Sequence, residues 1–115
     1  MFMPWLRFLI IFLMDFAISA CEKSYSPLYS DANVYLTIAY YEEQKENTDL
    51  ANSYYQRAVD SAPNSDRVHN NYGVFLCRQK RYKAAIEQFV VASKINYKYR
   101  VMAYQNMSLC KKLLH

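Results

Sequence analysis

At 115 residues, the chain has room for one domain at most. One Gly and three Pro against 53% hydrophobic residues leave too little punctuation for a strand-and-turn architecture, so the expected class is all-α. The net charge is only +4, yet residues 22–66 carry three basic and eight acidic side chains and residues 67–115 carry ten and one; the basic half lacks any nucleic-acid-binding motif and its charges are spaced along helices, which sets nucleic acid aside as a partner.

The first element is a leader. Arg7 and the amino terminus supply positive charge, Phe8 to Met14 an apolar run, and Ile18, Ser19 and Ala20 precede Cys21. That order is the pattern of a lipoprotein signal peptide over residues 1–20. Small residues let the backbone enter a peptidase extended, and the Cys21 thiol accepts a lipid through a thioether before becoming the first residue of the mature chain. An uncleaved anchor or a plain signal peptide are the alternatives. Asp15 interrupts the segment, and a carboxylate at the membrane centre costs about 2.5–3.5 kcal/mol. The uninterrupted apolar run also falls well short of the roughly 20 residues of a spanning helix. Residues 21–30, with Pro27, read as a tether, and residues 31–114 as the folded domain.

Apolar periodicity then predicts helices near 31–45, 49–61, 66–79, 82–95 and 100–113. Asp31 or Ser30, Asp49, and Asp66 or Ser65 are the expected N-caps, and Pro63 stops the second helix. Glu42, Glu43 and Glu46 follow one helical face and read as solubilising charge.

These helices repeat. A shift of 34 residues lays Ala39 on Gly73, Ala51 on Ala85, Tyr55 on Phe89, Ala58 on Ala92 and Pro63 on Tyr97. The spacing is that of a tetratricopeptide repeat (TPR), a helical hairpin in which small residues allow close backbone approach and an aromatic fills the wedge. An ordinary bundle would show the 3.6-residue stripe without the 34-residue recurrence. The expected fold is therefore a superhelix of TPR αα-hairpins, about two and a half repeats long. In the first unit the register is ambiguous by one residue before Thr48, so that Tyr41 or Glu42 takes the late aromatic position. Twelve Tyr suit the half-exposed interfaces of a thin solenoid. The last helix, with Met102, Met107, Leu109, Leu113 and Leu114, has no hairpin partner and is expected either to dock on something else or to mark a shortened chain.

The run from His69 to Phe89, with Asn70-Asn71-Tyr72-Gly73, Phe75-Leu76-Cys77 and Arg81-Tyr82, followed by Asn106 to Cys110, resembles the type IV pilus biogenesis and stability lipoproteins of the PilW/PilF family. The resemblance covers about residues 31–110. It departs from the family pattern in its shorter chain, in the missing first repeat and in Ser108, which stands where the family has Gly. It implies an outer-membrane pilotin: a protein-binding adaptor, anchored through Cys21 on the periplasmic face, that helps the secretin subunit localise and assemble into multimers. Glu22 after Cys21 is not the Asp that retains lipoproteins in the inner membrane. A general cell-envelope TPR scaffold and a truncated remnant are the alternatives.

Cys77 and Cys110 lie on first helices of adjacent units, which in such arrays pack about 8–10 Å apart. A bridge between them is geometrically reasonable and is the link the resemblance implies; two free buried thiols are the alternative. First helices also line the inner groove, which makes Asn70, Asn71, Val74, Arg78 and Asn106 the candidate partner-binding residues. An amide both donates and accepts and so can grip an extended backbone, while Arg78 and Arg67 suit carboxylates. The alternative for Asn71 and Asn106 is bonding to neighbouring helices. No Ser/His/Asp or Cys/His arrangement, Gly-rich loop or metal-ligand spacing is present in the sequence, so no catalytic role, cofactor, metal or small-molecule substrate is expected.

Overall fold

A computed structural model describes residues 31–114; the leader, Cys21 and the tether lie outside the described residues. Among these residues the chain is all-α: α1 (Asp31–Gln44), α2 (Thr48–Ser61), α3 (Asp66–Arg78), α4 (Tyr82–Ile95), a 3-10 turn (Tyr97–Tyr99) and α5 (Arg100–Leu114). α1 pairs with α2 and α3 with α4 as hairpins, and α5 packs on α4 as the first helix of a third unit. The first helices α1, α3 and α5 stand side by side, α3 touching both neighbours.

The backbone itself repeats at the spacing read from the side chains. α1 ends at Gln44 and α3 at Arg78; α2 opens at Thr48 and α4 at Tyr82; α3 opens at Asp66 and α5 at Arg100. Between the helices of each hairpin one residue adopts positive φ, Glu46 at 63° and Lys80 at 62°. Around each, the same two bonds satisfy the last carbonyls: Glu46 N–H to Glu43 and Asn47 N–H to Glu42, then Lys80 N–H to Cys77 and Arg81 N–H to Leu76. This is a Schellman closure, and it removes the one-residue ambiguity of the first unit. Tyr41 is the counterpart of Phe75, and Glu42 that of Leu76.

Caps depart from expectation at one place. Ser65 caps α3, its Oγ accepting from Val68 N–H at 3.3 Å, but α2 begins behind Asn47 with no side-chain cap, and Asp49 sits inside the first turn. There Asp49 faces the positive end of the helix dipole without closing an orphan N–H. Ser65 outcompetes Asp66 because it alone has extended backbone at the cap position.

The small residues lie where hairpins meet. Ala51, Ala58 and Ala85 have no exposed surface and Ala92 has 2%. A Cβ added at Gly73 would stand 2.7 Å from Cε1 of Phe89, so α3 and α4 approach as closely as that ring permits. Phe75 and Phe89 are the largest fully buried side chains, each worth about 1.5–3 kcal/mol of burial. Phe75 inserts against the preceding hairpin, its ring 4.7 Å from Tyr55, which lies 5.8 Å from Tyr72. Both buried phenols find acceptors: Tyr55 Oη donates to Glu43 and Tyr72 Oη to Asn52. Buried His69 has its ring nitrogens 2.7 Å from Gln88 Oε1 and from the Pro63 carbonyl, which ties the inter-hairpin link to α4.

Candidate functional site

Positions 67, 71, 74 and 78 recur at steps of four, three and four, which stacks them on one face of α3. Arg67, Asn71, Val74 and Arg78 line one side of a groove of about 390 Å³. Leu36, Thr37 and Tyr40 of α1 line the other side, and Tyr55 forms part of the floor. A second, smaller groove of about 170 Å³ lies between α3 and α5, lined by Val74, Arg78, Asn106, Leu109, Leu113 and the Cys77–Cys110 pair. Val74 and Arg78 border both, so the two grooves meet along α3.

A disulfide and an ion pair fasten neighbouring first helices along this face. Cys77 and Cys110 form a disulfide between α3 and α5, with Cα atoms 5.8 Å apart. Between α1 and α3, Arg78 grips Glu43 through two hydrogen bonds, Nε to Oε1 at 2.6 Å and Nη2 to Oε2 at 2.8 Å. Glu43 Oε2 also accepts from Tyr55 Oη at 3.1 Å. The Glu43 side chain is only 10% exposed while that of Arg78 is 49% exposed. Glu43 is thus not solubilising charge but the centre of an inter-repeat clasp; Glu46 is exposed, while Glu42 is partly buried and accepts from Asn47 Nδ2. The clasp perturbs both partners. The hydrogen bond to Glu43 raises Arg78 above its ordinary range, and burial, then the Glu43 charge, raise the Tyr55 hydroxyl above its own.

The candidate residues separate into two groups. Asn71 and Val74 are half-buried and open to the groove, Asn71 with no side-chain hydrogen bond among the described residues. Arg78 shares the groove but uses two donors on Glu43, leaving the remainder of its fork outward. Asn70 and Asn106 bond each other instead: Asn106 Nδ2 donates to Asn70 Oδ1 at 3.0 Å, and Asn70 Nδ2 approaches the Met102 sulfur at 3.8 Å. That pair joins α3 to α5 one turn and more from the disulfide. Glu43 is the residue that sequence reasoning missed; Tyr55, expected as the wedge aromatic, is buried as such and also brings its hydroxyl to the clasp. The signal was present, since the repeat aligns Glu43 with Cys77, an interior position.

The exposed apolar surface gathers on α5, where Met102, Leu109, Leu113 and Leu114 are 43–63% exposed. No helix among the described residues is long and apolar enough to cross a membrane.

Comparison with known proteins agrees with the geometry. A tetratricopeptide repeat model matches residues 54–87. That span starts within α2 and ends within α4, one period of the array entered half a hairpin late. The chain is similar to an uncharacterized protein of Haemophilus influenzae, 36% identical over 87 residues, covering 72% of this chain and 49% of the relative. It is also similar to the type IV pilus assembly protein PilF of Pseudomonas aeruginosa, 34% identical over 84 residues, covering 72% of this chain and 32% of that protein. The chain therefore spans about half the length of one relative and about a third of the other. No solved structure matches. Recurrent hairpins, buried small residues at the repeat spacing and the family match together make the folded part of this chain a tetratricopeptide-repeat domain, an architecture that serves as a scaffold for binding other proteins.

Proposed function

We propose that the chain is a lipid-anchored adaptor in type IV pilus biogenesis, pilotin-like, which holds a secretin subunit or another pilus component near the outer membrane. Cys21 carries the lipid, the tether spans to the domain, and the inner groove, with Asn71, Val74 and Arg78, takes the partner. Asn70 and Asn106 shape the α3–α5 end of that surface. The observation that supports the reading most is the open groove along the first helices, in a chain similar to a protein named for pilus assembly.

The test is genetic and biochemical together. A deletion strain should show fewer secretin multimers and fewer pili, and the full chain should pull down secretin from envelope extracts. Normal multimers and normal pili in the deletion strain sink this reading. Labelling with radioactive palmitate checks the anchor: a Cys21→Ser variant should lose the label and leave the membrane fraction. Because two thirds of the PilF protein has no counterpart in the matched segment, a second reading is an envelope adaptor with no secretin preference; it predicts a retained membrane anchor and a pulled-down partner other than secretin.

A further inference from the structure

The adaptor reading leaves the partner's chemistry open, and the charges around the groove narrow it. The α3 face presents Arg67 at one end and Arg78 at the other, with Asn71 and Val74 between them. From the opposite wall Leu36, Thr37 and Tyr40 bring no charge, and Tyr55 of the floor is neutral and bonded. Glu43, the carboxylate that bonds to groove residues, is already held by Arg78 and Tyr55. Arg67 is exposed and makes no ion pair among the described residues.

The repeat extends the pattern. Moving the α3 stripe by one period gives Asn33, Thr37, Tyr40 and Gln44 on α1, and Val101, Gln105, Ser108 and Lys112 on α5. None of these positions is acidic, although the described residues include eight Asp and Glu side chains. Acidic side chains such as Glu46, Asp49, Asp60 and Glu87 are exposed at other register positions. The inner face is thus cationic or neutral along its length, with no anion of its own left to neutralise Arg67.

We propose that the groove takes an extended acidic segment of a protein partner, its carboxylates about five residues apart and held by Arg67 and Arg78. This rests on the groove being the face through which the adaptor binds. The backbones of Arg67 and Arg78 are about 16 Å apart along the α3 axis, a distance an extended chain covers in about five residues. Arg78 is oriented before any ligand arrives, because Glu43 fixes its Nε side and leaves its outer N–H groups toward the opening. Asn71 sits between the two cations with both amide functions available, which suits a peptide backbone and not a lipid headgroup or a phosphate. Charge-assisted bonds at each end set the spacing, and Val74 supplies the apolar contact between them.

Fluorescence anisotropy with the full chain tests this, using a labelled twelve-residue Ser/Ala peptide that carries two Glu five positions apart. That peptide binds, and versions with both Glu changed to Gln, or with the two Glu adjacent, bind roughly tenfold more weakly. Arg67→Gln brings a loss of the same order, Lys94→Gln, a residue of α4, brings none, and added salt weakens binding. Equal binding of the Glu and Gln peptides overturns the proposal, as does an unaffected Arg67→Gln variant. So does capture of the chain by phosphatidylglycerol vesicles through Arg67 while the peptide stays free. An Asn71→Trp variant separates this failure from that of the adaptor reading: if it loses the pulled-down partner while the acidic peptide never binds, only the acidic preference is wrong. If it keeps the partner, the groove is not the binding face and both fall.

Discussion

Glu43 and Cys77 occupy the same position in successive units, and each carries the bond that fastens its helix to the next first helix: Glu43 to Arg78 across α1–α3, Cys77 to Cys110 across α3–α5. One seam is ionic and the other covalent. The aromatic beneath follows suit, since Tyr55 brings a hydroxyl to Glu43 whereas its counterpart Phe89 has none to offer. The two seams therefore differ in how they respond to salt and to reductant, while the helices around them keep one geometry.

The ionic seam is open to a double-mutant cycle. Arg78 is half-exposed, so solvent screens its charge and the pair is worth less than a buried one. Glu43→Gln and Arg78→Gln, singly and together, should give a coupling energy of about 1 kcal/mol in urea unfolding, reduced at high salt. A coupling near zero at low salt would mean that the clasp is a geometric coincidence and not a source of stability.

The covalent seam closes a loop with a sequence separation of 33. By chain entropy its removal costs roughly 3–4 kcal/mol, a large share of the stability of a small domain. Cys77→Ala with Cys110→Ala should lower the urea midpoint accordingly, insensitive to salt. Hydrogen exchange should rise first in α5, which among the described residues packs on α4 and α3 from one side, while α1 and α2 keep their protection.

Gly73 should gain nothing from a larger residue. An added Cβ meets three carbons of the Phe89 ring at 2.7–3.0 Å, and that ring is buried. The helix-propensity gain of Gly73→Ala, about 1 kcal/mol, opposes an overpacking cost of about 1–3 kcal/mol, so the net change is a loss or, at best, no gain. Adding Phe89→Leu should make Gly73→Ala stabilising, because the obstructing ring carbons are gone. Additive effects in the pair would show that the ring is not what the methyl meets.

Much of this architecture could be read before any coordinates. All five helices lie within a residue or so of the expected spans, because small residues at the repeat spacing, Pro63 and the Ser65 cap each act locally. What escaped was set by partners distant in sequence. Glu43 looked like surface charge when counted along its own helix, and only its register match with Cys77 shows it to be interior. Asn106 had bonding to a neighbouring helix as its alternative reading, but its partner, the Asn70 side chain 36 positions away, was not legible. The positive φ of Glu46 and Lys80 left no trace, since neither is Gly or Asn; the hairpin closure imposes it.

That imposed conformation yields a stabilising pair of substitutions. An L-residue in the left-handed region pays roughly 1–2 kcal/mol, and neither Glu46 nor Lys80 is buried. Glu46→Gly and Lys80→Gly should each stabilise by about 0.5–1 kcal/mol after the greater backbone entropy of Gly in the unfolded chain is subtracted. Equality of the two gains is the sharper expectation, because φ is 63° and 62° at the two sites. A loss at either site would show that its side chain, and not the backbone, maintains the turn.

Tyr55 makes the domain sensitive to alkali. Its hydroxyl is raised above the ordinary value of 10.0, first by burial, then by the Glu43 charge and hydrogen bond. In the unfolded chain the phenol ionises near pH 10, while in the folded state it stays neutral to higher pH. The unfolded state therefore binds fewer protons than the folded state above that point, and stability falls as pH rises. Its contribution is fully present below about pH 10 and is lost above it. Tyr55→Phe removes this group and places in the first unit the residue that the second has in Phe89. At neutral pH it should cost about 0.5–1.5 kcal/mol for the lost bond to Glu43, with Arg78 still holding the carboxylate. Between pH 9 and 11 its urea midpoint should fall less steeply than that of the parent chain; parallel curves would show that the Tyr55 proton is released as readily in the fold as in the open chain.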